Sequence, residues 1–244
     1  FEKTLKYLTN KNIRIPGQTQ LMLYNWGEPF LHPEFESLLQ IVIDNGYRFG
    51  LSTNASTLKN LSPEMVRNLD LLIFSMPGFS QESQDKIHGF NFEMVLENIK
   101  TINKAVRNVL PPWMFNTRMD FMLYKFNNLE QVAAKKFCEQ EGIYFITKYA
   151  HLVGMNIPIQ KSNHEGIEDN LYTDMLEIIK QRQPINYICP QYNVLVLDEL
   201  CNVVQCCVTD RDIPNNSFGN VLDIDFDKFT KDRKFYNSDT KTGG

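Results

Sequence analysis

The sequence predicts an α/β fold: parallel strands forming most of a barrel, followed by a small cysteine-bearing module. Three observations predict it. Apolar, strand-like runs end abruptly in polar residues, helical patterns of ten or more residues separate them, and four of the five cysteines fall within nineteen residues, from Cys189 to Cys207. Strands alternating with helices imply right-handed βαβ crossovers, which set consecutive strands parallel with their C-terminal ends on one rim. A ligand belongs on that rim.

The first expected strand, near 19 to 26, runs through Leu21-Met22-Leu23-Tyr24-Asn25-Trp26 and stops at Gly27-Glu28-Pro29. Gly27 allows close backbone approach, Glu28 brings a carboxylate to the strand end, and Pro29 fixes φ and ends the pairing. Helices are expected near 34 to 45, 62 to 69, 92 to 107 and 129 to 141. A second strand, near 48 to 53, closes on Ser52-Thr53-Asn54, and a third, near 71 to 76, closes on Ser75 before Pro77-Gly78. Further strands are expected near 117 to 124 and 143 to 149. His151 to Glu168, with Gly, Pro, Asn and Ser, reads as a linker, and Leu171 to Lys180 as a helix. A hairpin comes next, Asn193 to Leu197 and Asn202 to Cys207, turned by Asp198-Glu199-Leu200-Cys201.

With 244 residues and 43% hydrophobic content, one barrel-sized domain plus an appendage has ample material for a core. A formal net charge of -4 without a basic run argues against a nucleic-acid surface, because phosphate binding needs clustered Lys and Arg. No apolar run reaches the roughly 18 residues that a membrane span requires. Five cysteines, an odd number, four of them clustered, fit iron-sulfur ligation in a reducing cytoplasm better than disulfides.

The order of these words resembles the radical S-adenosylmethionine (radical SAM) superfamily. Trp26-Gly27-Glu28-Pro29 is similar to that family's second-strand Gly-Gly-Glu-Pro motif, and Ser52-Thr53-Asn54 to its third-strand Thr-Asn-Gly signature. Phe74-Ser75-Met76-Pro77-Gly78, through Asp85-Lys86-Ile87-His88-Gly89 to Val95-Leu96-Glu97-Asn98-Ile99, resembles its fourth strand, loop and helix. Asn116 to Tyr124, with Asn127 just beyond, resembles the fifth strand, and Ile143 to Tyr149 the sixth. The likeness runs over roughly residues 15 to 150. It implies a partial (β/α)6 TIM-like barrel, S-adenosyl-L-methionine as cofactor and a four-iron four-sulfur (4Fe-4S) cluster. Gly27, Glu28, Pro29, Thr53, Asn54 and Ser75 are the implied cofactor contacts. His88 stands where many members carry an Arg paired with the cofactor's carboxylate.

Cys189, Cys201 and Cys206 with adjacent Cys207 resemble the opening of a SPASM or twitch module, Cys201 standing at its glycine position. Phe218-Gly219-Asn220-Val221 and Asp227 to Phe235 resemble the Gly-Asn and helix that come next in that module. This implies a SPASM/twitch-type β-hairpin plus helix holding an auxiliary iron-sulfur cluster, with Cys189 and one of Cys206 or Cys207 as ligands. The implied domains are a barrel over 1–155, a linker and helix over 156–186 and the auxiliary module over 187–244. The cluster motif Cys-x3-Cys-x2-Cys is absent from the sequence, which therefore reads as an internal segment of a longer reading frame.

The implied activity is reductive cleavage of S-adenosylmethionine and hydrogen abstraction from a peptide or small-molecule substrate. An electron donor such as flavodoxin or ferredoxin would serve it. The competing reading is a cluster-free barrel acting as a binding module. Several residues read as structural. Trp26 and Cys138 suit a core, and Arg118, at a strand's entry end, suits a solvated or salt-bridged position far from the reaction rim. Lys148 and His151, near the exit of the last barrel strand, are placed for substrate contact.

Overall fold

Five strands, β1 (Gln20–Met22), β2 (Arg48–Thr53), β3 (Leu69–Met76), β4 (Thr117–Leu123) and β5 (Tyr144–Tyr149), pair in sequence order into one parallel sheet. The computed structural model describes residues 1–24, 27–111, 113–114, 116–150, 167–171, 194–204 and 217–229. Helices α1 (Glu2–Asn10), α2 (Phe35–Asp44), α3 (Pro63–Arg67), α4 (Gln81–Ile87), α5 (Phe92–Arg107) and α6 (Glu130–Glu141) fill the connections. The whole is a partial TIM-like barrel, the architecture the alternating pattern predicts.

Strand alternation sorts the sheet into two faces. Phe49 and Leu51 of β2, Leu72, Phe74 and Met76 of β3, and Met119, Phe121 and Leu123 of β4 pack into one core with Leu39, Val42, Val95, Ile99, Ile102 and Val106 of the helices. Burying each such side chain contributes roughly 1.5 to 3 kcal/mol. The opposite face, the barrel lumen, carries Arg48, Gly50 and Ser52 of β2, Leu71, Ile73 and Ser75 of β3, and Arg118, Asp120 and Met122 of β4. Parallel strands are ordinarily apolar on both faces, so a polar lumen is a departure that packing does not require.

Differences from the expected elements have local causes. β1 is shorter than 19 to 26: among the described strands it pairs only with β2, and the bond from Leu23 N–H to the Gly50 carbonyl (2.9 Å) lies just past its end. Trp26 lies outside the described residues. Helix α4 departs from the expected elements. Its sequence is polar and lacks a helical apolar stripe, but the Ser80 hydroxyl accepts the Ser83 N–H at 3.1 Å and starts it.

A second sheet, β6 (Val196–Leu197), β7 (Asn202–Val204) and β8 (Ser217–Asn220), is antiparallel. The expected hairpin turn is present. Asp198 Oδ1 accepts the N–H groups of Leu200 (2.9 Å) and Asn202 (2.8 Å), and Cys201 adopts φ 62°, a left-handed conformation that favours glycine. Residues 226–229 are helical, as expected for the start of the segment from Asp227. Val203, Val221 and Phe229 bury against Leu8 of α1, while Leu5 of the same helix joins the barrel core. Helix α1 thus bridges the two sheets.

Candidate functional site

At the C-terminal rim, Glu28 joins the ends of two strands. Its carboxylate accepts the Phe30 N–H through Oε1 (3.0 Å) and the Asn54 N–H through Oε2 (2.7 Å). The first bond caps a 3-10 turn, Pro29–Leu31, and the second crosses from the β1 exit to the β2 exit. Each carboxylate oxygen has two lone-pair sites, so acceptor capacity remains after both bonds. A Cβ placed on Gly27 would meet nothing within 4 Å among the described residues.

The β2 exit is held by its own side chains. Thr53 shares a face with Phe49 and Leu51 and is 1% exposed, and its hydroxyl accepts the Ala55 N–H at 3.0 Å. Asn54 Oδ1 accepts the Ser56 N–H at 2.9 Å. Ala55, at φ 55°, completes this tight turn. Ser52 is the β2 residue whose hydroxyl is on the lumen face. The sequence places Ser52 and Thr53 side by side, and only the buried partners Phe49 and Leu51 tell which of them faces the helices.

Ser75, half-buried on the lumen face of β3, pairs in register with Asp120 of β4. The loop beyond Ser75 is braced from two sides. Asn127, fully buried, donates from Nδ2 to the carbonyls of Pro77 (2.7 Å) and Met122 (3.0 Å) and accepts the Tyr124 N–H at 2.8 Å. Glu130 accepts from the Phe79 N–H (2.5 Å) and the hydroxyls of Ser80 (2.6 Å) and Ser83 (2.8 Å). A Cβ on Gly78 would sit 2.2 Å from Ser83 Cβ, so glycine is what lets this loop close.

His88, exposed at the C-terminal end of α4, stacks on Phe90 with ring centroids 5.1 Å apart. Arg118 is ion-paired as its sequence position suggests, to Asp120, and Lys148 joins the same carboxylate. Asp120 is a lumen residue that no sequence motif singles out. Its place there depends on strand register, which no local pattern reports.

Cys138 is fully buried in the core, its Sγ 3.5 Å from Met119 Sδ, and burial, with Glu139 nearby, pushes its thiol up to about 12. A thiolate is disfavoured there, so Cys138 does not suit metal ligation. Cys189, Cys206, Cys207 and His151 lie outside the described residues, as does the expected helix beyond Leu171. Among the described residues no group of three or more His, Cys, Asp or Glu side chains could hold a metal ion. Glu28, with Gly27 and Ser75, suits a cationic, hydroxyl-bearing cofactor. No helix among the described residues is long and apolar enough to cross a membrane.

No family model and no curated protein matches this chain. Solved structures do. Native anSMEcpe with bound AdoMet superposes with TM-score 0.61 at 15% identity, over 97% of this chain and 71% of that one. Streptococcus suis SuiB bound to S-adenosylmethionine gives TM-score 0.56 at 13% identity, over 96% of this chain and 60% of that one. Against another crystal structure of Streptococcus suis SuiB the match covers 75% of this chain and 40% of that one, at 15% identity and TM-score 0.45. The chain thus spans about half the length of the SuiB chains it matches. Its parallel sheet, with helices between successive strands and a polar C-terminal rim, has the fold of the radical S-adenosylmethionine superfamily.

Proposed function

We propose that this chain is the cofactor-binding barrel of a radical SAM enzyme with a SPASM/twitch-type auxiliary module over residues 187–244. The observation that carries this reading is the Glu28 carboxylate at the rim, bonded to Asn54 N–H beside a Gly27 with no described neighbour within 4 Å of a Cβ placed on it. Glu28 would receive the cationic amino group of S-adenosylmethionine. Ser75 would bond a cofactor hydroxyl or carboxylate, with Pro29, Thr53 and Asn54 fixing the loops around it, and His88 would offer one hydrogen bond. When bound and cleaved by an electron from a reduced cluster, with methionine as the leaving group, the cofactor would supply hydrogen-abstracting chemistry. This chain's own residues orient it and line a water-poor chamber that limits side reactions.

Peptides and small molecules, sugars among them, are the substrate classes proposed for such a barrel, with electrons from a flavodoxin or ferredoxin in the cytoplasm. The protein carrying this barrel, reconstituted anaerobically with iron and sulfide and then reduced, is expected to form 5′-deoxyadenosine slowly without substrate. Chromatography that detects none would overturn the enzymatic reading in favour of a cluster-free binding module.

A further inference from the structure

The lumen carries more charge than cofactor binding uses. Arg118 and Asp120 lie two residues apart on β4 and share its inner face, and Lys148 of β5 is the diagonal neighbour of Asp120, whose register partner is Ile146. Arg118 engages Asp120 through Nε (2.6 Å) and Nη2 (3.0 Å), and Lys148 Nζ lies 2.6 Å from Asp120 Oδ2. Asp120 is 3% exposed, whereas the Lys148 side chain is 47% exposed. The carboxylate is sealed by two cations, and the ammonium faces the opening.

Among the described residues, two cations on one carboxylate leave one positive charge unmatched. The lumen residues on either side, Leu71, Ile73 and Ser75 on β3 and Tyr144 and Ile146 on β5, bring no second carboxylate. A fork-like Arg pair already neutralises Asp120, so a structural bridge needs no Lys148. An ammonium has three N–H groups, and Asp120 takes one. Because Ser75 and Asp120 are paired across β3 and β4 and Asp120 pairs with Ile146, the Lys148 backbone stands two strand spacings across and two residues along from the rim serine, roughly 12 Å.

We propose that Lys148, held by Asp120 and backed by Arg118, binds a carboxylate of the substrate. This rests on the reading of the rim as a radical SAM site. A single negative charge matches the single excess positive charge, whereas a phosphate monoester, with about two, would leave one facing Asp120. The substrate class is thus a carboxylate-bearing molecule, whether a peptide's acidic group or a small acid.

The test uses N-acetylglycine, a monocarboxylate, and its neutral amide, at low ionic strength and without cofactor or cluster. Equilibrium dialysis should find saturable binding of the acid and binding of the amide weaker by about tenfold or more, the size of one charge-assisted hydrogen bond. Lys148→Gln should abolish the preference and Lys148→Arg should keep it. Equal binding of acid and amide, or a preference that survives in Lys148→Gln, overturns the proposal. Displacement of N-acetylglycine by S-adenosylmethionine also overturns it, since the anion site would then belong to the cofactor's own carboxylate. No cleavage and no cluster takes part, and the cofactor enters only as a competitor, so a protein that fails to cleave S-adenosylmethionine can still pass this test, and one that cleaves it can still fail.

Discussion

Glu28 and Asn54 are 26 residues apart, yet Glu28 Oε2 accepts the Asn54 N–H at 2.7 Å and so ties the exit of β1 to the exit of β2. The same carboxylate caps the turn that begins at Pro29. One side chain therefore sets the spacing of two rim loops before any ligand binds. Pre-organisation of this kind lowers the ordering cost of binding.

Removing the carboxylate should act on both roles. Glu28→Ala leaves two backbone N–H groups without their acceptor and removes the charge proposed for the cofactor's amino group. Binding of S-adenosylmethionine, measured by equilibrium dialysis, is expected to weaken by about tenfold or more, since a charge-assisted hydrogen bond contributes about 1.5 to 3 kcal/mol. Glu28→Gln, which keeps one acceptor, should fall between. Unchanged affinity in Glu28→Ala would take Glu28 out of the cofactor site and leave it a loop clamp.

Asn127 is the most exacting structural residue near the rim. Fully buried, it donates to the Pro77 and Met122 carbonyls and accepts the Tyr124 N–H, stapling the ends of β3 and β4. Its amide satisfies three backbone groups, each of which costs about 1 to 3 kcal/mol if left buried without a partner. Asn127→Leu should therefore lower the free energy of unfolding by about 3 kcal/mol or more in urea titrations. Asn127→Asp should be at least as harmful at neutral pH, because a carboxylate would face two carbonyl oxygens. A change below about 1 kcal/mol in both variants would show that water replaces the staple.

What the sequence makes legible depends on which interactions are local. The five strands are readable because their outer-face residues, such as Phe49 and Leu51 or Phe74 and Met76, recur every second position between helices whose apolar residues recur every three or four. Glu28, Asn54 and Ser75 are readable because they end those strands. Helix α4 is not, since Ser80 starts a polar segment whose buried residues are Ser83 and Gln84. Asp120 escapes notice for a different reason: its significance is made by Ser75 on one side and Lys148 on the other, partners fixed by parallel register. The parity of Ser52 and Thr53 is equally non-local.

The proposed auxiliary module makes a prediction about metal content. Thiolates hold iron-sulfur clusters, and loss of a ligand releases iron. After anaerobic reconstitution, iron per chain is expected to fall in Cys189→Ala and to stay unchanged in Cys138→Ala, whose thiol is enclosed by the barrel core. Equal iron in the two variants would mean that no cluster is held through Cys189.

Cys138 should also give the barrel a signature at alkaline pH. Burial, and to a lesser degree Glu139, raises its thiol from an ordinary value of 9.0 to about 12, so the folded state keeps a proton that the unfolded chain gives up. The sign is set by that difference. Below the unfolded value both states are protonated and the thiol's contribution is fully present. As pH rises from there towards the folded value, only the unfolded state loses its proton, and stability falls by up to about 1.4 kcal/mol per pH unit. Between about pH 8 and about pH 10, urea titrations should show the unmodified protein losing about 1 kcal/mol more stability than Cys138→Ala, which has no thiol to ionise. The variant should start lower, because it leaves a small cavity beside Met119. Parallel pH profiles in the two proteins would mean that the Cys138 thiol ionises as readily folded as unfolded, and that the core around Met119 and Ala134 admits water.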